Sequence, residues 1–270
     1  MSQEASAVAE GHAAASDIVL EGQNLRLAFG GIQALAGMAF AVRRGSITGM
    51  IGPNGAGKST LFNAITGVIP PQAGRVVLFG QDVPGWPPHR LARLGLIRTF
   101  QLSRELGGLT VIENLMLAPQ AQRGEKLAPL FLAPGAVRRQ ERAIREMAEE
   151  VLALVKLTEL RDAYARDLSG GQKKLLELAR ALMIESQVIL LDEPGAGVNP
   201  ALMQTLMEVI ARLNREHGKT FLIIEHDMDM IARLCDPVVV MTEGQSLVAG
   251  RFDEIRRDPR VIEAYLGGAA

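Results

Sequence analysis

At 270 residues the chain is long enough for one sizeable core with an inserted subdomain, and too short for two such domains in tandem. A formal charge of −1, from 29 basic against 30 acidic residues, and only 4% aromatics give neither the field nor the stacking surfaces of a nucleic-acid binder. No nucleic-acid partner is expected. The single cysteine, Cys235, excludes an internal disulfide and a cysteine-rich metal cluster, and is expected to be buried or incidental in a reducing compartment.

Residues 1–17 are rich in Ala and Ser but lack a basic start and a continuous apolar segment, so a disordered tail is expected, not a signal peptide. No run in the chain approaches the ~18 apolar residues of a membrane span, so work on a membrane would require a partner. Phe29, before Gly30-Gly31, has two readings, a core side chain or an aromatic platform. Ser46 to Ile51 then reads as a buried strand and Leu61 to Thr66 as a helix stopped by Gly67. Between them runs Gly52-Pro53-Asn54-Gly55-Ala56-Gly57-Lys58-Ser59-Thr60. Strand, glycine loop and helix are the context in which successive N–H groups converge on phosphate at a positive helix end. Lys58 adds charge at the outer phosphates, the Ser59 hydroxyl suits Mg²⁺, and Thr60 can bond nearby phosphate.

Gly95 to Phe100 is a further strand run that ends on Gln101, either a plain strand end or an amide that reaches metal or water. From there to Ser169 the pattern is helical. Ile144, Met147, Val151, Leu154 and Val155 form an expected apolar stripe, and Arg138, Arg139, Arg142 and Arg145 with Glu141 and Glu146 an expected solvated face. The apolar, proline-broken segment Leu127 to Pro134 is expected to pack within this helical lobe, ahead of the alternative of a docking surface.

Ser169-Gly170-Gly171-Gln172 combines a capping box with two glycines, followed by Leu175, Leu176, Leu178, Ala179 and Leu182 at helical spacing. Capping alone does not ask for glycine, whereas bare backbone approaching an anion does. Val188 to Leu191 then delivers Asp192 and Glu193 to the end of a strand, where open α/β sheets bind ligands. Asp192 would hold the metal through water, and Glu193 would orient and deprotonate an attacking water. Asn199-Pro200 reads as an N-cap with proline at the first helical position. Leu202, Met203, Leu206, Val209, Ile210 and Leu213 follow at core spacing. His226 follows the strand run Thr220 to Ile224 and should emerge at the edge that carries Glu193.

Taken together, these motifs resemble the ATP-binding subunits of ABC transporters, over about Ile18 to Gly267. Leu168 to Gln172 resembles their signature, Gln101 their Q-loop glutamine, His226 their switch histidine, Ala196 to Asn199 their D-loop, and Phe29 the residue that stacks on adenine. The resemblance implies an α/β P-loop NTPase fold: a RecA-like core with an antiparallel β lobe and an inserted helical subdomain. It implies one cassette over residues 18–255, the insertion at about 102–183, and a C-terminal segment over 256–270. ATP and Mg²⁺ are the implied cofactors. Transmembrane permease subunits and a second cassette, identical or related, are the implied partners, with a periplasmic substrate-binding protein as an indirect one. The place of work is then the cytoplasmic face of the inner membrane.

Arg98 to Gln101, Val111 to Leu115, Ile224 to Met228 and Asp258 to Gly267 resemble the branched-chain amino acid importers of bacteria. Importers of urea or amides and exporters of lipopolysaccharide are the alternatives within the family. A soluble ABC-type ATPase of translation or DNA repair is the rival class, set back because such chains carry two cassettes or a long coiled-coil insertion. Two positions depart from pattern. Asn199 stands where aspartate is commoner, and Leu-Ser-Gly-Gly-Gln lacks the tyrosine and acidic residue that this subfamily often carries in its signature.

Overall fold

The structure is a computed structural model that describes residues 17–99, 105–125 and 131–266. The expected tail and Gln101 therefore lie outside the described residues, apart from Asp17. The strands are β1 (Ile18–Phe29), β2 (Ile32–Arg43), β3 (Ile47–Ile51), β4 (Ala73–Leu78), β5 (Gln81–Asp82), β6 (Leu96–Thr99), β7 (Val188–Asp192), β8 (Thr220–Ile224), β9 (Val238–Thr242) and β10 (Gln245–Gly250). The helices are α1 (Lys58–Ile65), α2 (Pro88–Arg93), α3 (Val111–Met116), α4 (Pro134–Leu154), α5 (Gly170–Leu182), α6 (Pro200–His217), α7 (Met228–Leu234), α8 (Phe252–Ile255) and α9 (Pro259–Leu266).

Two compact units share the chain: one holds the chain through Arg98, Gln187–Glu193 and everything from Ala211, the other Thr99–Ser186 with Pro194–Ile210. In the first unit an antiparallel sheet runs in the order β2-β1-β4-β5, and a six-stranded sheet in the order β10-β9-β3-β8-β7-β6. In the latter, β3 pairs in parallel with β8 and β9, and β7 with β8. Every residue of β3, β7 and β8 is buried, the signature of strands covered on both faces. Their parallel direction brings the ends that carry Gly52, Glu193 and His226 to one edge. Helix α1 sends Leu61, Phe62 and Ile65 into the core with Met50, Leu190 and Leu222. It starts at Lys58, three residues before the expected Leu61, because left-handed Gly57 (φ 98°) turns the loop directly into the helix.

Cys235 is buried as expected, packed against bare β3 backbone: a Cβ on Gly49 would lie 2.9 Å from its own Cβ. Burial, with a smaller contribution from the Glu225 charge, pushes its thiol up to about 12.

In the second unit, Thr110 and Glu113 close a capping box on α3. Asn114, fully buried, holds the preceding loop by accepting from Leu106 N and donating to the carbonyls of Leu106, Leu109 and Thr110. The buried face of α4 is Val137, Ile144, Ala148, Val151 and Leu152, continued by Val155. Met147, expected in that stripe, is 44% exposed: the i, i+4 row through Ile144 and Ala148 leaves it about a quarter-turn off the core. The charged face is solvated as expected. Of the segment expected to pack, residues 127–130 lie outside the described residues, and Phe131 and Leu132 are 81% and 85% exposed. Pro134 holds Ala133 off the helical region (φ −144°, ψ 51°), so α4 and its apolar row begin only after Phe131 and Leu132.

Candidate functional site

The loop between β3 and α1 is shaped by what cannot fit inside it. A Cβ on Gly52 would run into the Met241 carbonyl oxygen, and one on Gly57 into that of Ala34. Among the described residues no side chain caps α1, and no acidic residue sits in its first turn, so the unshared N–H groups and positive dipole end are not neutralised by them. Lys58 is 7% exposed, with Nζ donating to the carbonyls of Gly52 (2.8 Å) and Pro53 (2.9 Å). Burial lowers its pKa, opposed by the charges of Glu193 and Asp192. Two carboxylates therefore act on the ammonium of this loop. Ser59 is exposed and Thr60 half-buried on the same turn.

Asp192, 6% exposed at the end of β7, accepts Arg98 Nη2 on Oδ2 at 2.6 Å. Glu193 follows with a left-handed backbone (φ 50°), pinned by its N–H bond to Ile224 O at 2.9 Å. A non-glycine residue in that region stores strain of about 1–3 kcal/mol, here at the point where the carboxylate must leave the sheet. His226 Nε2 stands 3.2 Å from Glu193 Oε1, both side chains under half exposed. The histidine is fixed by a residue that the motif reading passed over. Buried Glu225 accepts the N–H groups of His226 (2.7 Å) and Asp227 (3.1 Å), and Asp227 caps α7. At the other end of the chain, Tyr265 of α9 lies beside the Gly52 amide, and burial raises its phenol pKa against the opposing pull of that amide.

Phe29 ends β1 and is 45% exposed, which excludes the core reading. In the second unit, Ser169 Oγ accepts Gln172 N (3.3 Å) and Gln172 Oε1 accepts Ser169 N (2.8 Å), the expected box. Its glycines differ. A Cβ on Gly171 would sit 2.8 Å from Leu202 Cδ1, so packing accounts for that one, whereas Gly170 would meet nothing nearer than Gly197 O at 3.7 Å. Asn199 Oδ1 caps α6 through Leu202 N at 3.0 Å, as expected.

The donors fit a polyphosphate: an uncapped helix start, backbone approached too closely for side chains, and a buried ammonium. Among the described residues no group of three or more His, Cys, Asp or Glu could cage a metal. The exposed Ser59 hydroxyl and the buried Asp192 carboxylate are oxygen donors of the kind that Mg²⁺ takes beside phosphates.

Arg98, Glu225 and Tyr265 lie in segments that the sequence reading compared with the importers, but neither they nor Asn63 was given a role in the site. Only Glu225 had a local signal, as an acidic residue between a buried strand and a helix cap.

Comparison with known proteins adds two family matches, the ABC transporter family over residues 35–196 and the branched-chain amino acid ATP-binding cassette transporter family over 248–270. The probable branched-chain amino acid transport ATP-binding protein LivG of Archaeoglobus fulgidus is 41% identical over 249 residues, 92% of this chain and 95% of that one. The high-affinity branched-chain amino acid transport ATP-binding protein BraF of Pseudomonas aeruginosa is 42% identical, covering 93% and 98%. Among solved structures, a nucleotide-free ATP-binding cassette of an ABC transporter superposes with a TM-score of 0.79 at 37% identity, covering 92% of this chain and 98% of that one. The ADP conformation of an ATP-binding cassette of an ABC transporter gives 0.78 at 38%, covering 93% and 99%.

Proposed function

We propose that this chain, which belongs to the ABC transporter family of ATP-binding cassettes, is the ATPase subunit of a branched-chain amino acid importer. It is an ATPase of the P-loop type by family, and a peripheral subunit of a membrane transporter: no helix among the described residues is long and apolar enough to cross a bilayer. The cargo reading rests on the match over residues 248–270 and on the relatives named above. The cassette spans 18–255 in this reading, with a helical subdomain at about 102–183. It docks on permease subunits at the cytoplasmic face of the membrane, and a periplasmic binding protein delivers substrate from the far side.

The observation that carries hydrolysis is the Glu193–His226 pair at 3.2 Å on the sheet edge where Glu193 and Asp192 also act on Lys58. Gly52 to Thr60 hold the phosphates through backbone donors and Lys58, and Phe29 offers its exposed ring to adenine. Bound Mg²⁺ would neutralise charge on the phosphates. Ser59 and, through water, Asp192 would be its protein oxygens, and Gln101 would be a further donor that couples the site to the docked permease. Glu193 takes the proton of the attacking water, and His226 holds that carboxylate and faces the terminal phosphate. Ser169 to Gln172 belong to the other compact unit and serve the phosphate held by a second cassette.

Glu193→Gln keeps the shape and loses the base, a change of about 10² to 10⁴ in rate. Size-exclusion chromatography with MgATP should then show an ATP-loaded dimer, with a related cassette supplied if this chain does not pair with itself. Ser169→Arg added to it should abolish that dimer. A dimer that survives Ser169→Arg overturns the shared site. The cargo is tested by leucine uptake into vesicles that hold this chain with its permeases.

A further inference from the structure

The guanidinium of Arg98, on β6, is held from three directions. Nη2 donates to Asp192 Oδ2 at 2.6 Å on β7, Nη1 donates to Asn63 Oδ1 at 2.7 Å on α1, and the group lies 5.5 Å from the centre of the Phe62 ring. The Arg98 and Asp192 side chains are 10% and 7% exposed, and the buried Arg98 Nε has no hydrogen-bond partner among the described residues. A fork that tolerates an unpaired donor to join two strands and a helix is there for position as well as charge.

We propose that Arg98 is a positioning residue for the metal: it neutralises Asp192, fixes the angle of its carboxylate, and makes that carboxylate serve a hydrated Mg²⁺ through water instead of binding it directly. The inference rests on the nucleotide reading above. A lone carboxylate this deep is costly, and a cation at 2.6 Å relieves the cost. The same cation disfavours a second, bare one on the same carboxylate, because two positive charges a few ångströms apart in low dielectric repel strongly. With Oδ2 engaged by Arg98, the other oxygen is left to accept from the hydration shell, which Mg²⁺ gives up reluctantly. Lysine could supply the charge but not the planar fork that reaches Asp192 and Asn63 at once.

The test follows ATP binding to the full chain during Mg²⁺ titration and again in chelator, with melting curves as a check on folding. Arg98→Met should raise the Mg²⁺ concentration for half-maximal binding by about 10-fold or more, the usual effect of losing a partner that orients a ligand. Binding in chelator should stay within about twofold of wild type, because Lys58 and the loop are untouched. Arg98→Lys should recover only part of the shift. Asn63→Ala, the milder variant if Arg98→Met folds poorly, should shift the titration in the same direction by less. In an Asp192→Asn background Arg98→Met should add nothing. A wild-type Mg²⁺ titration, a tighter one, an equal loss of binding in chelator, or an additive effect on Asp192→Asn each overturns the proposal. A wild-type chain that binds no ATP overturns the nucleotide reading itself.

Discussion

Two helices of this chain start on glycines, and they start in opposite ways. Helix α1 has a left-handed Gly57 at its cap, no side chain bonded there, and a buried lysine as its first residue. Helix α5 has Ser169 and Gln172 folded onto each other, with Ser169 and Gly170 exposed. The first start turns its donors over to whatever anion enters. The second satisfies two donors itself, those of Ser169 and Gln172, so the amides outside its box are those of the two glycines. A glycine-rich helix start leaves donors free for an anion only to the extent that the neighbouring side chains do not cap it.

That contrast can be broken at four points, taken from the largest effect down. Lys58→Ala removes the charged side chain of the α1 start, and should weaken MgATP binding by about 10²-fold, the value of a charge-assisted contact or two. Calorimetric titration measures it, and a wild-type affinity would deny the loop its role. Gly57→Ala should destabilise the fold by about 1–3 kcal/mol through its left-handed backbone, besides meeting the Ala34 carbonyl. Thermal unfolding would register this as a clear fall, and an unchanged melting point would mean that the loop relaxes freely. At α5 the losses are smaller. Ser169→Ala should cost about 1 kcal/mol, recovered by Ser169→Thr, because only the cap is lost. Gly170→Ala should leave stability unchanged or raise it by a few tenths of a kcal/mol, since an added methyl meets no neighbour closer than 3.7 Å. If that variant also fails to pair in the Glu193→Gln background, the glycine is kept for a ligand; normal pairing would leave it unexplained.

What could be read from the sequence was local. The capping box at Ser169, the Asn199 cap and the strand before His226 each lie within a few residues of their own signal, and the structure has them where the pattern puts them. Met147 failed because a helical stripe read by eye spans two adjacent rows, and only packing decides which row faces in. Phe131 and Leu132 failed for a related reason: apolar character says what a side chain favours, while the backbone at Ala133 leaves both residues ahead of α4 and its apolar row. Arg98 was invisible for a third reason. Its partner is 94 residues away, and nothing in either neighbourhood names the other. The same holds for Tyr265 beside Gly52, two residues at opposite ends of one compact unit.

Cys235 has a practical corollary. It is the sole cysteine of the chain, sealed against Gly49 with a thiol pushed up to about 12, and thiol reagents attack the thiolate. The native protein is therefore already a clean background for spectroscopic labels. A spin or fluorescent probe on a cysteine introduced at exposed Asp162 will report from that position alone, with no need to remove the native residue.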